Sequence, residues 1–483
     1  MPITDTETAA NSSLPLCVDL DGTLIQTDSL WESCLRLISQ SPLMLLFLPF
    51  WLLSGKAGFK HKISQHVQLD PDSLPFNTAL LKYLTQQRLH NRHLVLITAA
   101  SEKIANAIAQ HLNIFDDIFS SDSKHNLSGR KKAARLVEKF GEKGFVYAGN
   151  ETIDLNVWQH AAAAVVVNAP DALVEKTKRL TTIEKILPKS HSLSWTTILK
   201  AIRIHQWSKN ILIFAALVLA HHWSDANSLQ SAVFAFFSFS FAASMVYLLN
   251  DLLDLEADRT HSTKKFRPLA SGVMPIKWGV LLIPFLLLLS FALANKVNLA
   301  FMQILCIYLA LTTAYSLFLK AIALIDVITL TSLYTIRIIA GAIAVNVPLS
   351  YWLLAFSMFI FLSLALIKRF AELKNLSQHS ETKTTSRGYT VNDLTAVSLF
   401  GISSGYISIM VLVLYINDLR AGTQYGHPDW LWFVAIAILY WISHMWLLAF
   451  RGEMNEDPIL FSIHDRPSYI VSLFVILSLY LAL

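Results

Sequence analysis

The sequence predicts a two-domain protein: an N-terminal α/β domain with a helical cap, then an all-α transmembrane bundle of about nine helices. Of its 483 residues, 54% are hydrophobic and only 15% are charged, a balance that is rare in water-soluble proteins. The charges are also uneven, because the first 200 residues hold 21 Lys+Arg and 19 Asp+Glu, leaving 18 and 15 for the other 283. Apolar strands and amphipathic helices alternate in the first part, and long apolar stretches follow.

The net charge of +5 indicates membrane topology and contact with anionic lipids, not nucleic-acid binding. The three cysteines, Cys17, Cys34 and Cys306, lack disulfide or zinc spacing, which favours a reducing compartment. Residues 1–13 form a polar tail without the basic and apolar regions of a secretory signal. We therefore expect the first domain in the cytoplasm, beside a cytoplasmic (inner) membrane.

The first domain is expected at residues 14–185. Four segments read as strands of a parallel sheet: LPLCVDL, RHLVLITAA, GFVYAGN and AAAVVVNAP. Residues 28–90, between the first two strands, form a long helical insert that predicts a cap. Within it, residues 43–53 (LMLLFLPFWLL) are too short to span a bilayer, so they are either a buried cap helix or an interfacial patch that meets a lipid substrate.

Residues 175–194 are polar and basic and predict a surface helix and linker, with the linker itself at 186–200. The second domain, 201–483, has nine apolar stretches centred near residues 213, 238, 285, 307, 333, 358, 405, 440 and 475. If Lys200, Arg203 and Lys209 mark the cytoplasmic entry, alternate loops carry thirteen further Lys and Arg residues and the opposite loops carry two. This positive-inside bias places the first domain and the basic loops on one side.

Two aspartates follow the first strand directly. Asp19 and Asp21, in the run DLDGTL, stand at the carboxyl end of a parallel strand, where α/β folds place ligand sites. Such a pair suits phosphoryl transfer, with one carboxylate as nucleophile, the other as acid and base, and a divalent cation between them. Further candidates follow the later strands: Thr98 for a phosphate oxygen, Lys131 or Lys132 for positive charge, and Asn150 and Asp154 as metal ligands.

At these residues the domain resembles the haloacid dehalogenase superfamily of phosphatases, which has a Rossmann-like fold. The resemblance implies that Asp19 is the nucleophile, Asp21 the general acid and base, Thr98 the phosphate-binding residue and Lys132 the neutralising lysine, with Mg²⁺ as cofactor. Lys132 is preferred to Lys131 for its distance from Gly129. The last motif departs from the family, because Asn150 stands where Asp is usual, which replaces an anionic metal ligand with a neutral one.

A second acidic cluster, NDLLDLEADRTHSTKKFRPLASG at residues 250–272, follows the second membrane helix. In one helix, the spacing of Asp251, Asp254 and Asp258 places them on one face, with Asn250 nearby. Mg²⁺ bound to a diphosphate would join these carboxylates, and Arg259, Lys264 and Arg267 could bind the remaining phosphate charge.

This segment looks like the first aspartate-rich motif of the UbiA-type prenyltransferase superfamily. Other segments resemble its decaprenyl-phosphate phosphoribosyltransferase branch: HQWSKN at 205–210, YSLFLK at 315–320, KRFAEL at 368–373 and RGYT, with Tyr389, at 387–390. Where aromatic prenyltransferases carry a second aspartate-rich segment, this sequence has Lys368, Arg369 and Glu372. The change favours a second anionic substrate.

The resemblance implies transfer of phosphoribose from phosphoribosyl diphosphate to a polyprenyl phosphate, after which the phosphatase domain could remove the 5-phosphate. The alternative is a prenyl diphosphate donor with an aromatic or other small acceptor, and a regulatory or vestigial first domain. Asp326 and Arg337 lie three turns apart on the fifth membrane helix, and Lys209 and Asn210 stand at the mouth of the first. Each pair is a candidate for substrate binding or for a structural contact. The oligomeric state is not predicted.

Overall fold

The computed structural model describes residues 13–122, 125–188, 193–378, 387–418, 425–454 and 457–483. Most of the predicted tail and part of the predicted linker lie outside these residues, as do two of the loop cations counted above, Lys383 and Arg420. The chain divides into two compact units. The first comprises Met1–Arg203 and Tyr247–Pro284, and the second comprises Ile204–Val246 and Phe285–Leu483. The predicted limits of the two domains stay predictions.

A six-stranded parallel sheet forms the centre of the first unit. Its strands are β1 (Leu16–Val18), β2 (Leu94–Ser101), β3 (Asp117–Ser121), β4 (Val146–Gly149), β5 (Ala163–Val167) and β6 (Thr182–Leu187). The order β3-β2-β1-β4-β5-β6 is that of a doubly wound Rossmann-like sheet. Successive residues of β1 pack into different apolar clusters, Leu16 and Val18 into one and Cys17 into the other, so both faces of the sheet are covered.

The four predicted strands are confirmed as β1, β2, β4 and β5. The prediction of linker and surface helix for residues 175–194 was wrong at Thr182–Leu187, which form the edge strand β6. Glu184 and Lys185 make this strand look like a surface segment, but the carboxylate of Glu184 pairs with the buried guanidinium of Arg92 at 2.6 Å. Strand β3 is a short edge strand that the sequence did not indicate.

Helices cover the sheet and fill the insert after β1. The helices up to residue 201 are α1 (Ser29–Gln40), α2 (Leu48–Leu52), α3 (Gly55–His66), α4 (Thr78–Leu89), α5 (Glu102–Leu112), α6 (Arg130–Phe140), α7 (Leu155–Trp158), α8 (Asp171–Lys178) and α9 (Trp195–Ala201). The insert between β1 and β2 is helical, as predicted for a cap.

The apolar run 43–53 is not a buried helix, so that interpretation was wrong. It forms a 3₁₀ turn, Pro42–Leu46, and the short helix α2. Met44, Leu48 and Trp51 pack on a small cluster of buried residues, whereas Phe47, Phe50 and Leu53 are exposed. The segment is apolar on all sides but is only about two turns long. It packs one face on the cluster, and its opposite face, which is also apolar, stays exposed. The interfacial interpretation stays a prediction.

The remaining helices are mostly long and apolar. They are α10 (Phe214–Leu219), α11 (Ala226–Leu253), α12 (Leu255–Thr260), α13 (Ile276–Val297), α14 (Leu299–Leu317), α15 (Ile325–Ala344), α16 (Tyr351–Gln378), α17 (Leu394–Ile416), α18 (Leu431–Arg451), α19 (Pro458–Ser462) and α20 (Arg466–Ala482). Among the described residues, seven helices are long and apolar enough to cross a membrane, and two shorter apolar helices lie at Ile204–Leu219 and Arg466–Ala482. Together they contain the nine predicted centres. In the second unit, a large apolar cluster of described residues lies among α15, α16, α17 and α18.

Candidate functional sites

Asp19 stands at the carboxyl end of β1 and is held by two donors. The backbone N–H of Leu20 and the Nζ of Lys132 both contact its Oδ1, at 2.8 and 2.7 Å. Lys132 is buried in the first turn of α6 and also donates to the hydroxyl of Tyr147, at 3.0 Å. Lys131 is exposed. The structure therefore brings Lys132 to the carboxylate, and both contacts fall on one oxygen of Asp19.

Burial alone would lower the pKa of Lys132, but the charges of Asp19 and Asp154 outweigh it and raise that pKa above its ordinary value. The lysine is therefore a fixed cation. Three carboxyl groups, those of Asp19, Asp21 and Asp154, lie close enough to raise the pKa of this one lysine, so its single positive charge cannot neutralise all of them.

Asp21 lies in the turn after β1, where its Oδ1 accepts a hydrogen bond of 2.7 Å from the backbone N–H of Ser29 at the start of α1. Burial, followed by the negative charges of Asp28 and Asp19, raises the pKa of Asp21 to about 7, although the Ser29 N–H opposes the change. A carboxyl group with this pKa exchanges protons near neutral pH, as an acid and base must.

Asn150 follows β4 and meets the same turn. Its Oδ1 accepts a hydrogen bond of 3.0 Å from the hydroxyl of Thr23. Gly22, at φ +73°, makes this approach possible, because a Cβ there would lie 2.3 Å from the Nδ2 of Asn150. Any other residue at position 22 would displace the amide or the turn.

Asp154 lies in the turn after Asn150 and holds its backbone. Its Oδ2 accepts from the backbone N–H groups of Asn150 and Glu151, both at 2.9 Å, and its Oδ1 accepts from Tyr147 at 2.9 Å. Burial and the charge of Asp19 raise the pKa of Asp154 to about 6, against the opposing effect of Lys132. Thr98, fully buried, lies within β2, which continues to Ser101, and accepts from the N–H of Ala100 at 2.9 Å.

The side chains near Asp19 that could coordinate a metal ion offer oxygen atoms, which Mg²⁺ prefers. Within the described ranges, no group of three or more His, Cys, Asp or Glu side chains is arranged to hold a metal ion. The carboxylate of Asp19, joined by that of Asp21 when Asp21 is deprotonated, would therefore need the amide oxygen of Asn150 and water to complete a Mg²⁺ site. The donor chemistry fits, and the excess of negative charge favours a cation.

The aspartate-rich segment also belongs to the first unit. The sequence predicted one continuous helix face, but α11 ends at Leu253 and α12 begins at Leu255. As a result, Asp251 and Asp258 are buried while Asp254 is exposed. Asn250 precedes Asp251 within α11 and its carbonyl accepts from the N–H of Asp254 at 2.8 Å.

Arginines already bridge these aspartates. The Nη1 of Arg267 contacts Asp251 at 3.1 Å and Asp258 at 2.5 Å, and Arg203 also pairs with Asp251. Arg259 pairs with Glu32, while Lys264 is exposed. Of the three cations predicted for phosphate, the structure thus brings Arg267 to the aspartates.

In the second unit, two predicted lysines meet one carboxylate. The Nζ atoms of Lys209 and Lys368 lie 2.8 and 3.1 Å from the same oxygen of Asp457. These two cations hold the pKa of the Asp457 carboxyl well below its usual range, although burial opposes this. Asp457 was missed by the sequence reasoning. Its position before Pro458 marks only a helix start, where its Oδ1 accepts from the N–H of Ile459.

Asp326 and Arg337 have separate partners. Asp326 is fully buried, accepts from the Nε of Arg369 at 2.5 Å and accepts from the hydroxyl of Tyr389 at 2.6 Å. Arg369 also pairs with Glu372, so three of the predicted candidates join Asp326 in one network.

Arg337 instead donates to Asn210, from Nε to Oδ1 at 2.8 Å, and to the hydroxyl of Tyr308 at 3.2 Å. The Nδ2 of Asn210 donates to Ser240 at 3.0 Å. Arg337, Asn210 and Tyr308 all belong to the second unit. Their contacts link the 3₁₀ segment Ile204–Ile213 with α14 and α15.

Comparison with known proteins identifies the second part of the chain. Residues 211–466 match the model of the UbiA prenyltransferase family. The chain belongs to this family. With its apolar helices, it is an integral multi-pass membrane protein.

Three relatives are similar to this UbiA-family chain to different extents. The uncharacterized protein y4nM of Sinorhizobium fredii is 35% identical over 95% of this chain and 89% of its own length. The nodulation protein NoeC of Azorhizobium caulinodans is 33% identical over 59% of this chain and 93% of its own length. Decaprenyl-phosphate phosphoribosyltransferase of Mycobacterium tuberculosis is 41% identical over 36% of this chain, which spans 60% of that relative.

Two solved structures were also similar. A UbiA homolog from Archaeoglobus fulgidus bound to GPP and Mg²⁺ covers 59% of this chain and 99% of its own, at 16% identity and a TM-score of 0.45. A HAD family hydrolase from Salmonella enterica covers 38% of this chain and 69% of its own, at 15% identity and a TM-score of 0.28. For the first unit, the order of the six parallel strands itself gives a Rossmann-like architecture.

Proposed function

We propose that this UbiA-family protein transfers phosphoribose from phosphoribosyl diphosphate to a polyprenyl phosphate and then removes the 5-phosphate of the product in its first unit. The observation that carries the transfer is the contact of Lys209 and Lys368 with Asp457. Two lysine Nζ groups converge on one carboxylate oxygen, and such ammonium groups are strong hydrogen-bond donors to phosphate. A donor and an acceptor that both carry phosphate need such a site in addition to the aspartate-rich segment.

The transfer needs no general base. A phosphate oxygen of the lipid attacks the anomeric carbon of the donor, the bond from that carbon to the diphosphate oxygen breaks, and diphosphate leaves with the electron pair. Asp251 and Asp258 would hold Mg²⁺ together with oxygens of the diphosphate, whose charge the ion neutralises when bound. Asn250 and the exposed Asp254 stay candidates for further contacts. The chain itself supplies alignment and charge, with Arg267 positioned between Asp251 and Asp258.

The hydrolysis assigns Asp19 as nucleophile. Because Leu20 and Lys132 both contact Oδ1, Oδ2 is the oxygen that attacks phosphorus. The bond from phosphorus to the ribose oxygen breaks, Asp21 gives that oxygen a proton, and the same Asp21 later takes a proton from the water that hydrolyses the aspartyl phosphate. Asp19 and Asn150 would hold Mg²⁺, which offsets the charge of the phosphate when bound, while Asp21 carries the proton that it gives to the ribose oxygen.

The cation bias of the predicted loops supports a cytoplasmic location for the first unit, in a cytoplasmic membrane. Phosphoribosyl diphosphate is a soluble anion, so its site must face an aqueous compartment. The substrates proposed for both reactions would then be available on one side of the membrane.

The test uses the detergent-purified full chain with Mg²⁺, polyprenyl phosphate and phosphoribosyl diphosphate, and follows the lipid by mass. We expect wild type to form the ribosylated lipid without the 5-phosphate, and Asp19→Asn to accumulate the 5-phosphorylated lipid. Asp251→Asn should form neither. Asp171→Asn, the same change at an exposed carboxylate of α8, is the matched control and should behave as wild type.

If wild type transfers no phosphoribose but prenylates an aromatic acceptor from a prenyl diphosphate, the proposal is wrong and the alternative substrates replace it. If transfer occurs but Asp19→Asn gives the same product as wild type, the first unit does not act as a phosphatase on this lipid.

A further inference from the structure

A cavity of about 310 Å³ opens beside Asp21 in the first unit. One wall contains Asp21 and Asn150 of the proposed hydrolytic site and Trp31 near the start of α1. The opposite wall consists of Gly272, the last residue of the aspartate-rich segment, and of Val273, Pro275, Ile276 and Lys277, which follow it. The cavity is therefore built from two parts of the sequence that lie more than one hundred residues apart.

The second wall is fixed closely against the first. Gly272 has φ +76°, and a Cβ there would lie 2.9 Å from the carbonyl oxygen of Gln26, in the turn after Asp21. Arg259 adds a polar anchor, because its Nε donates to the carbonyl of Ala270 at 3.0 Å while its Nη2 contacts Glu32 of α1 at 2.6 Å. The approach of residues 270–277 to the site thus depends on a glycine and on a buried arginine.

The same wall leads directly into a membrane helix. Ile276 and Lys277 form the first turn of α13, which has 22 residues and is apolar enough to cross a membrane. Such a helix is about 33 Å long, close to the thickness of the hydrocarbon core. Its first turn therefore marks the membrane surface, and a cavity lined by that turn opens at this surface.

The lining chemistry separates into two regions. Asp21, Asp28 and Glu151 are acidic, and Val273, Pro275 and Ile276 are apolar. Lys277 is the cation in this lining and is exposed. The volume lies at the lower end of the range for small-molecule sites, so it can hold a sugar phosphate but not a polyprenyl chain.

We infer that residues 272–277 form the substrate-recognition wall of the phosphatase site and that Lys277 binds the phosphodiester that links the sugar to its lipid. The substrate class is a lipid-linked sugar phosphate, whose terminal phosphate reaches Asp19 while its lipid stays in the membrane. This inference rests on the proposed hydrolysis and deepens it. Soluble phosphomonoesters lack the phosphodiester and gain nothing from Lys277.

The test compares Lys277→Gln with wild type in detergent micelles on three substrates. They are the 5-phosphorylated ribosyl phosphoryl lipid, its water-soluble analogue with a methyl group in place of the lipid, and p-nitrophenyl phosphate. We expect the substitution to lower kcat/KM about 10-fold for the first two, mainly through KM, because a charge-assisted contact is lost. Turnover of p-nitrophenyl phosphate should not change.

Lys265→Gln is the matched control, since Lys265 is an exposed lysine of the segment just before this wall and should leave all three rates unchanged. If Lys277→Gln leaves all rates as in wild type while wild type hydrolyses the lipid, the recognition wall is wrong and the phosphatase stands. If it slows p-nitrophenyl phosphate equally, Lys277 does not discriminate and the inference is also wrong. If wild type and Asp19→Asn hydrolyse none of the three, the proposed hydrolysis and the inference both fall.

Discussion

The guanidinium group of Arg259 and the carboxylate of Glu32 form a two-contact ion pair inside the first unit. Nη2 lies 2.6 Å from Oε1 and Nη1 lies 3.1 Å from Oε2, and each side chain is only 7% exposed. Arg259 follows Asp258 of the aspartate-rich segment, while Glu32 lies on α1, whose first N–H holds Asp21. The pair therefore joins the helix of one proposed site to the helix of the other.

Removing either partner should loosen α1. Breaking a buried ion pair leaves an uncompensated charge, which costs about 3–5 kcal/mol. We expect Glu32→Gln and Arg259→Gln to speed the labelling of Cys34, which is buried in α1, by a maleimide in a Cys306→Ser background. The double variant leaves no buried charge of the pair and should label more slowly than either single variant.

Arg135→Gln removes one partner of the exposed Arg135–Glu138 pair, which is worth little, and serves as the control. Labelling of Cys34 in Arg259→Gln at the wild-type rate would contradict the structural role of this pair. Transfer activity distinguishes a structural role of Arg259 from phosphate binding. If Arg259→Gln loses transfer activity and Glu32→Gln keeps it, Arg259 binds substrate phosphate.

Periodicity and composition were sufficient to predict the fold class. Strands β1, β2, β4 and β5 are continuous apolar runs, as expected of central parallel strands, and the membrane helices are long and apolar. The edge strand β6 could not be recognised in the same way. Its charged residues suggest a surface helix, and only the partner of Glu184, Arg92, explains why they lie in a sheet.

The sites were less accessible to sequence reasoning. The candidates that follow β1 and β4 could be placed together, because parallel strands end at one edge of a sheet. The partners of Arg259 and of Lys368 could not, since Glu32 and Asp457 lie 227 and 89 residues away and have no local pattern that marks them. The exposure of residues 43–53 was equally hidden, as a buried and an exposed apolar turn have the same composition.

The lysines at Asp457 give a prediction for the second unit. Lys368→Gln removes one of two cations and should raise the KM for a phosphorylated substrate about 10-fold, with a smaller effect on kcat, because the lysine contributes charge rather than bond breaking. Initial rates of lipid product at varied phosphoribosyl diphosphate, and at varied polyprenyl phosphate, identify which substrate is affected. Lys374→Gln, six residues further along α16, is the control. Unchanged KM values for both substrates would remove Lys368 from the anion site.

The exposed apolar turn of the cap gives a prediction about the membrane surface. Phe47, Phe50 and Leu53 are 52%, 68% and 85% exposed, and residues 33–69 contain no Asp or Glu but include Arg36, Lys56, Lys60 and Lys62. Apolar and basic residues together favour insertion into an anionic interface. We expect a small fluorophore on Phe50→Cys, in a Cys306→Ser background, to be quenched by spin-labelled lipids in anionic nanodiscs.

A fluorophore on Leu89→Cys is the control, because Leu89 is 78% exposed but lies at the polar end of α4. It should not be quenched. Equal quenching at both positions, or none at position 50, would rule out insertion of the cap turn.

The carboxylates around Asp19 predict how the metal-free first unit responds to pH. Burial and neighbouring charges raise the pKa of Asp21 to about 7 and that of Asp154 to about 6, whereas both are near 4 in an unfolded chain. Between pH 4 and pH 7 the folded state therefore binds more protons than the unfolded state. The stability that these two groups contribute is fully present below pH 4 and is lost as the pH rises through 6 to 7. Unfolding in EDTA can be followed by the labelling of buried Cys17 in a Cys306→Ser background. The melting temperature measured in this way should be lower at pH 8 than at pH 5.5. Asp21→Asn cannot ionise and should raise the pH 8 value by about 3 °C with less change at pH 5.5. A melting temperature that rises with pH in wild type, or an Asp21→Asn effect of equal size at both pH values, would contradict the raised pKa.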